Sequence, residues 1–233
     1  MNIIKPALSG VFAISILLGG CQTSPQQEQT AGNPALQEKI ANEPTALMKA
    51  VAAGDLDTAR ALIDAGNSVN VSTPQGSALS WAVENKQVNA VMYLLSLGAN
   101  PNIGIPEGKS SPLMTVAGEG ETQMVRLMLA AGANVNYADS VGNTAIAQAA
   151  YNGHLTTVKT LLKAGANVNI EPGGRSLLMH IVEGNDLMLA QVLIAAGADV
   201  NFRDAAGNSA LQIAKEKRYG DLEMLLVQSG AQS

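Results

Sequence analysis

One phrase returns six times along this chain of 233 residues, and its spacing limits the fold more than any other feature. It reads GNSVN at 66, GANPN at 98, GANVN at 132 and again at 165, GADVN at 197 and a shortened GAQS at 230. The glycines Gly66, Gly98, Gly132, Gly165, Gly197 and Gly230 are therefore 32, 34, 33, 32 and 33 residues apart. A second phrase, opened by Thr or Ser, keeps step 21 residues ahead of each glycine: TALMKA at 45, SALSWA at 77, SPLMTV at 111, TAIAQA at 144, SLLMHI at 176 and SALQIA at 209. Six units in constant phase predict a stacked array of one supersecondary motif.

Each unit is predicted to be a pair of helices. Its first residue, Thr or Ser, is expected to cap a short helix by accepting a hydrogen bond from a free backbone N–H. In the unit opening at Thr144, the bend NGH at 152–154 provides a glycine able to take positive φ and stop that helix. A second helix follows through LTTVKTLLKA, with Leu155, Val158, Leu161 and Leu162 on one stripe, and Gly165 ends it. A lone pair of this kind cannot cover its own apolar face, so neighbours must do so. The composition agrees, with 47% hydrophobic but only 3% aromatic residues, which suits close packing of small aliphatic side chains.

Residues 132–169, GANVNYADSVGNTAIAQAAYNGHLTTVKTLLKAGANVN, resemble the ankyrin repeat almost end to end. The resemblance extends over 45–233, with repeats starting near 45, 77, 111, 144, 176 and 209, and implies an all-α ankyrin solenoid of about six helix-turn-helix units joined by β-turn loops. Departures are local. Lys86, Asn185 and Arg218 stand where the pattern has a turn glycine, Val116 and Ile181 replace a small alanine, and the loop around IGIPEGK is one residue longer than average.

Ahead of the array, residues 1–20 have the layout of an export signal: Lys5, an apolar run from Ala7 to Leu18, then Gly19 and Gly20. The run is about a dozen residues, short of the roughly 20 that a spanning helix needs. Leu18-Gly19-Gly20-Cys21 resembles the lipobox of bacterial lipoproteins, which implies cleavage before Cys21 and acylation of that residue, palmitate included. Cys21 is the sole cysteine, so it has no intramolecular disulfide partner. Gln22, where inner-membrane lipoproteins often carry Asp, points by the same resemblance to an outer membrane facing the periplasm. The polar stretch 22–34 reads as a tether, and 21–44 as coil would span roughly 25–30 Å. A short capping helix is expected at 35–43.

The sequence offers little to nucleic acid. Its net charge is −5, and the densest basic cluster, Lys215, Lys217 and Arg218, is broken by Glu216. Nor does it hold a catalytic set. His154 and His180 occupy different repeat positions, the serines at 77, 111, 176 and 209 are accounted for as caps, and the glycines follow the repeat rather than a phosphate loop. No enzyme, cofactor or metal site is expected.

A protein partner is. Counting from the cap, positions 2, 5, 6 and 9 of the first helix fall on one side and 4, 7 and 8 on the other, and the ankyrin resemblance implies that the latter line a concave groove. The groove would present Lys49; Trp81, Glu84 and Asn85; Thr115 and Glu119; Gln148, Tyr151 and Asn152; His180 and Glu183; and Ile213, Glu216 and Lys217. Loop tips add Tyr137, Ser140, Val141, Arg175, Phe202 and Arg203. Trp81 and Tyr151 are the expected anchors, and Glu84, Glu119 and Glu183 are expected to meet a basic partner surface. The expectation is thus a monomeric, lipid-anchored envelope protein that binds another protein. Its more specific forms are an immunity protein against a phospholipase-type antibacterial effector and an accessory factor for an oxidative-stress enzyme such as catalase.

Overall fold

A computed structural model of the chain describes residues 43–232. The export signal, Cys21, the tether and all but Glu43 of the expected capping helix lie outside the described residues. From Ala46 onward the chain forms six helix pairs: α1 (Ala46–Ala53) with α2 (Leu56–Asp64), α3 (Ala78–Glu84) with α4 (Val88–Ser96), and α5 (Pro112–Gly118) with α6 (Thr122–Ala130). The series continues with α7 (Ala145–Tyr151) and α8 (Leu155–Lys163), α9 (Leu177–Glu183) and α10 (Leu187–Ala195), and α11 (Ala210–Glu216) and α12 (Gly220–Gln228). Two small elements were not foreseen in the loops. Strands β1 (Ser72–Thr73) and β2 (Gly76–Ser77) form a minimal antiparallel hairpin, and Pro172–Gly174 makes a 3-10 turn.

Five of the six expected caps close their helices. Thr45, Ser77, Ser111, Ser176 and Ser209 each accept the backbone N–H three residues on, at 3.2–3.3 Å. Ser77 goes further, because Ser80 Oγ accepts its N–H in return, at 2.8 Å. Thr144 departs from the expectation. It has the most extended φ of the six, −130°, and its buried hydroxyl makes no hydrogen bond.

Position 2 of every unit, Leu47, Leu79, Leu113, Ile146, Leu178 and Leu211, is buried to about the same degree, at 1% exposure. At each of the five junctions the first helices pack on one another more closely than the second helices do. The array therefore curves toward its first helices. Their small residues, Ala82, Ala117, Ala149 and Ala214, permit that approach and are all fully buried.

The recurring asparagine of the phrase GANVN stitches the units together. Asn136 Oδ1 accepts the N–H of Asn167 in the next unit at 2.8 Å, while its Nδ2 donates to Gly165 O at 3.1 Å. Asn70, Asn102, Asn169 and Asn201 repeat the same pair of bonds one unit along. Such a ladder holds the loop of each unit at fixed register against its neighbour, and that register positions the loop tips.

The three residues that replace turn glycines hold left-handed backbones, with φ of 56° at Lys86, 59° at Asn185 and 60° at Arg218. A Cβ in that conformation costs about 1–2 kcal/mol, less for Asn. Exposed Arg218 is thus expected to yield on replacement by Gly: Arg218→Gly should raise stability by about 0.5–1 kcal/mol once the greater freedom of an unfolded glycine is subtracted, and Asn185→Gly by less. Urea midpoints measure both, and a lower midpoint for Arg218→Gly would contradict the strain.

Candidate functional site

The first-helix face and the loop tips carry the residues singled out from the sequence, and the structure treats them unequally. Trp81, on α3, is half-buried and packs on the core, with its indole N–H buried and unpartnered. Phe202 is likewise half-buried against the core. Ile213 is a correction: at position 4 of α11 it is buried rather than facing the groove. An aliphatic side chain without polar atoms gains by this burial, and Ile213 joins the continuous core.

Several polar candidates turn inward to their own helices. Asn85 Nδ2 donates to Trp81 O at 2.8 Å and Asn152 Nδ2 to Gln148 O at 3.0 Å, so both amides tie down helix ends. Thr115 Oγ1 donates to Ser111 O at 3.4 Å. Tyr137 reaches across a junction to donate to Lys109 O at 3.1 Å, and Arg203 Nη1 donates to Gly207 O at 3.1 Å. Glu84 is exposed and Gln148 half-buried.

The acidic stripe is largely neutralised from within. Lys86 Nζ lies 2.8 Å from Glu119, and Glu183 is paired with Arg175 at 2.7 Å and Lys217 at 3.6 Å. The hydrogen bond from Arg175 holds the Glu183 carboxyl below its ordinary pKa, with Lys217 contributing, and the bond to Glu119 holds the Lys86 ammonium above its own. These pairs join adjacent units, which sequence spacing alone did not reveal.

Units 4 and 5 bring two candidates into contact. The Tyr151 and His180 rings meet edge to face, with centroids 5.3 Å apart, and Tyr151 remains 40% exposed. Partial burial raises the Tyr151 hydroxyl above its ordinary pKa, so it stays a neutral donor. His180 Nε2 lies 3.2 Å from Pro172 O, which fixes the ring against the loop tip.

The tips themselves are rigidly built. Asp139 accepts from the N–H groups of Val141 and Asn143 and from the Asn143 amide, at 2.9–3.0 Å, and Asp204 repeats the arrangement with Ala206 and Asn208. The Asn208 amide is the main reason that the Asp204 carboxyl titrates below its usual range. Val141, 59% exposed, stands on the first of these tips.

Among the described residues no group of three His, Cys, Asp or Glu gathers as a metal site, and no helix is long and apolar enough to cross a membrane. Sequence reasoning missed one feature altogether. Between the turns of units 2 and 3 lies a cleft of about 200 Å³ whose lining includes Val83, Val91, Val116 and Met124.

Comparison with known proteins gives a consistent result. The family model for ankyrin repeats in three copies matches residues 9–105 and 103–172. Phosphocholine transferase AnkX of Legionella pneumophila is 28% identical over 154 residues, which is 64% of this chain but 16% of that protein. The chain thus spans a small part of such longer relatives. The putative ankyrin repeat protein YahD of Escherichia coli is 26% identical over 200 residues, covering 82% of this chain and 99% of YahD. Among solved structures, an ankyrin repeat domain from Acinetobacter baumannii superposes with a TM-score of 0.74 at 28% identity, covering 80% of this chain and 98% of that one.

Proposed function

This chain belongs to the ankyrin repeat family, a protein-interaction fold, and on that premise we propose that it captures a protein partner at the bacterial envelope, moored through acylated Cys21 and facing the periplasm. The observation that carries the reading is Tyr151. It is a large aromatic left 40% exposed, braced edge-on by His180, on the inner face of a prebuilt curve. A ring so placed loses little freedom on binding and offers both apolar area and a hydroxyl, which is why tyrosines concentrate interface energy.

The internal pairing of Glu119 and Glu183 shifts the expected contact away from bulk acidity. Aromatic and hydrogen-bonding groups at units 4 and 5 do the holding instead. Mooring by several acyl chains would keep the groove near the membrane, since each buried methylene adds about 0.8 kcal/mol.

A photo-crosslinking amino acid at position 151 should yield a defined adduct in intact cells, while the same group at Met188, exposed on the second-helix row, should not. Tyr151→Ala should then weaken the purified complex on the order of 30-fold, equivalent to about 2 kcal/mol, without lowering the melting point. Equal adducts from both positions would end the assignment of this face. Cys21→Ser should release the protein from the membrane fraction, and retention there would end the anchor.

A further inference from the structure

We propose that the junction of units 2 and 3 is a docking cleft for a short peptide segment of the partner, an apolar residue followed by lysine or arginine. The proposal rests on the partner-binding reading above and names one element that the partner must carry.

At the neighbouring junctions a side chain of the next unit covers the turn glycine. Between units 3 and 4 the His154 ring lies so close over Gly120 that a Cβ there would stand 2.5 Å from Nδ1. Its Nε2 meets Gly118 O at 3.0 Å. Between units 1 and 2 Gln87 covers Gly54 in the same way, with a Cβ on Gly54 falling 2.5 Å from its Oε1. The corresponding residues between units 2 and 3 are Lys86 and Glu121. Lys86 has a side chain where a ring would need a bare glycine, and Glu121 stays exposed.

The space is left open as a consequence. Its floor is apolar and otherwise buried, formed by Val83, Val91, Val116 and Met124, and Val88 stands at the rim 51% exposed. At about 200 Å³ it is smaller than the roughly 300–1,000 Å³ of small-molecule pockets, and suits one aliphatic side chain. Its wall holds two carboxylates, Glu119 and Glu121, against one ammonium, Lys86. The unbalanced negative charge selects a cationic residue beside the apolar one.

The test uses the full-length chain with labelled valine and methionine methyls, titrated with acetyl-Leu-Lys-amide, acetyl-Leu-Glu-amide and acetyl-Ala-Lys-amide. Saturable shifts at Val88, Val116 and Met124 are expected with the first peptide, and about tenfold weaker binding with the other two. The double variant Lys86→Gly with Glu121→His rebuilds the filled junction, so its melting point should rise and the shifts should vanish. Glu121→Lys leaves the floor intact and should reverse the preference toward acetyl-Leu-Glu-amide; it decides the matter if the double variant folds poorly. Equal responses to all three peptides, no response, or shifts that survive the refilled junction would overturn the proposal. The Tyr151 adduct is indifferent to these outcomes, so failure of the cleft and failure of the groove reading are told apart.

Discussion

Gly120→Ala is expected to cost about 2–3 kcal/mol of stability, and Gly153→Ala, at the same position one unit later, about 1 kcal/mol. Both glycines hold φ of 75°, so the strain of adding a Cβ in the left-handed region is common to the pair. What differs is the neighbour. A Cβ on Gly120 would stand 2.5–2.8 Å from three atoms of the His154 ring, whereas nothing lies within 4 Å of one on Gly153. The ring must leave, and its 3.0 Å contact with Gly118 O goes with it. That bond contributes about 1 kcal/mol, and the packing of the imidazole adds to it. Urea unfolding of the two variants gives the difference directly. Adding His154→Ala to Gly120→Ala should cost little more, because the two changes remove the same contact. Equal losses for the two alanines would show that the ring yields freely and that filling a junction contributes nothing, which would also weaken the physical reason for the open cleft between units 2 and 3.

The array was legible because its determinants are local. A cap serine, a turn glycine and an apolar stripe each act within a few residues, so the helix pairs could be read directly; the positions of Lys86, Asn185 and Arg218 were marked only as departures from glycine, and their left-handed backbones came from the structure. Long-range partners could not be. Asn136 bonds to groups about thirty positions away, and the phrase that contains it shows a repeated asparagine without showing its use. Lys86 with Glu119 and Lys217 with Glu183 likewise pair across a junction, so glutamates that read as free acid are part of the stack. The helical angle put Tyr151 at a position that is 40% exposed, and failed at Ile213, which is buried at position 4. The cleft escaped notice for a related reason. It is set by what two adjacent units both lack, and no single repeat displays that.

Leu178→Ala should be among the most damaging single changes, costing about 3 kcal/mol within the 2–5 kcal/mol usual for such truncations. Leu178 is 1% exposed at position 2 of the fifth unit, part of the continuous core. Removing its branched end leaves a void, because a densely packed core collapses little around a truncated side chain. For a domain of this size that cost corresponds to a melting point lower by about 6–12 °C. The position within the stack adds a second signature. Each unit is stabilised by its two interfaces, so loss at an interior unit uncouples the units on either side, while loss at the last unit frays one end. Leu178→Ala is therefore expected to broaden the unfolding transition or divide it, and Leu211→Ala, equally buried at 1% in the sixth unit, to lower the midpoint by less. Fluorescence of Trp81, the single tryptophan, reports the second unit, and circular dichroism reports all helices. The two probes should separate for Leu178→Ala. Coincident transitions with an unchanged slope would mean that the six pairs unfold as one body, and that the nearest-neighbour account of their stability is wrong for this chain.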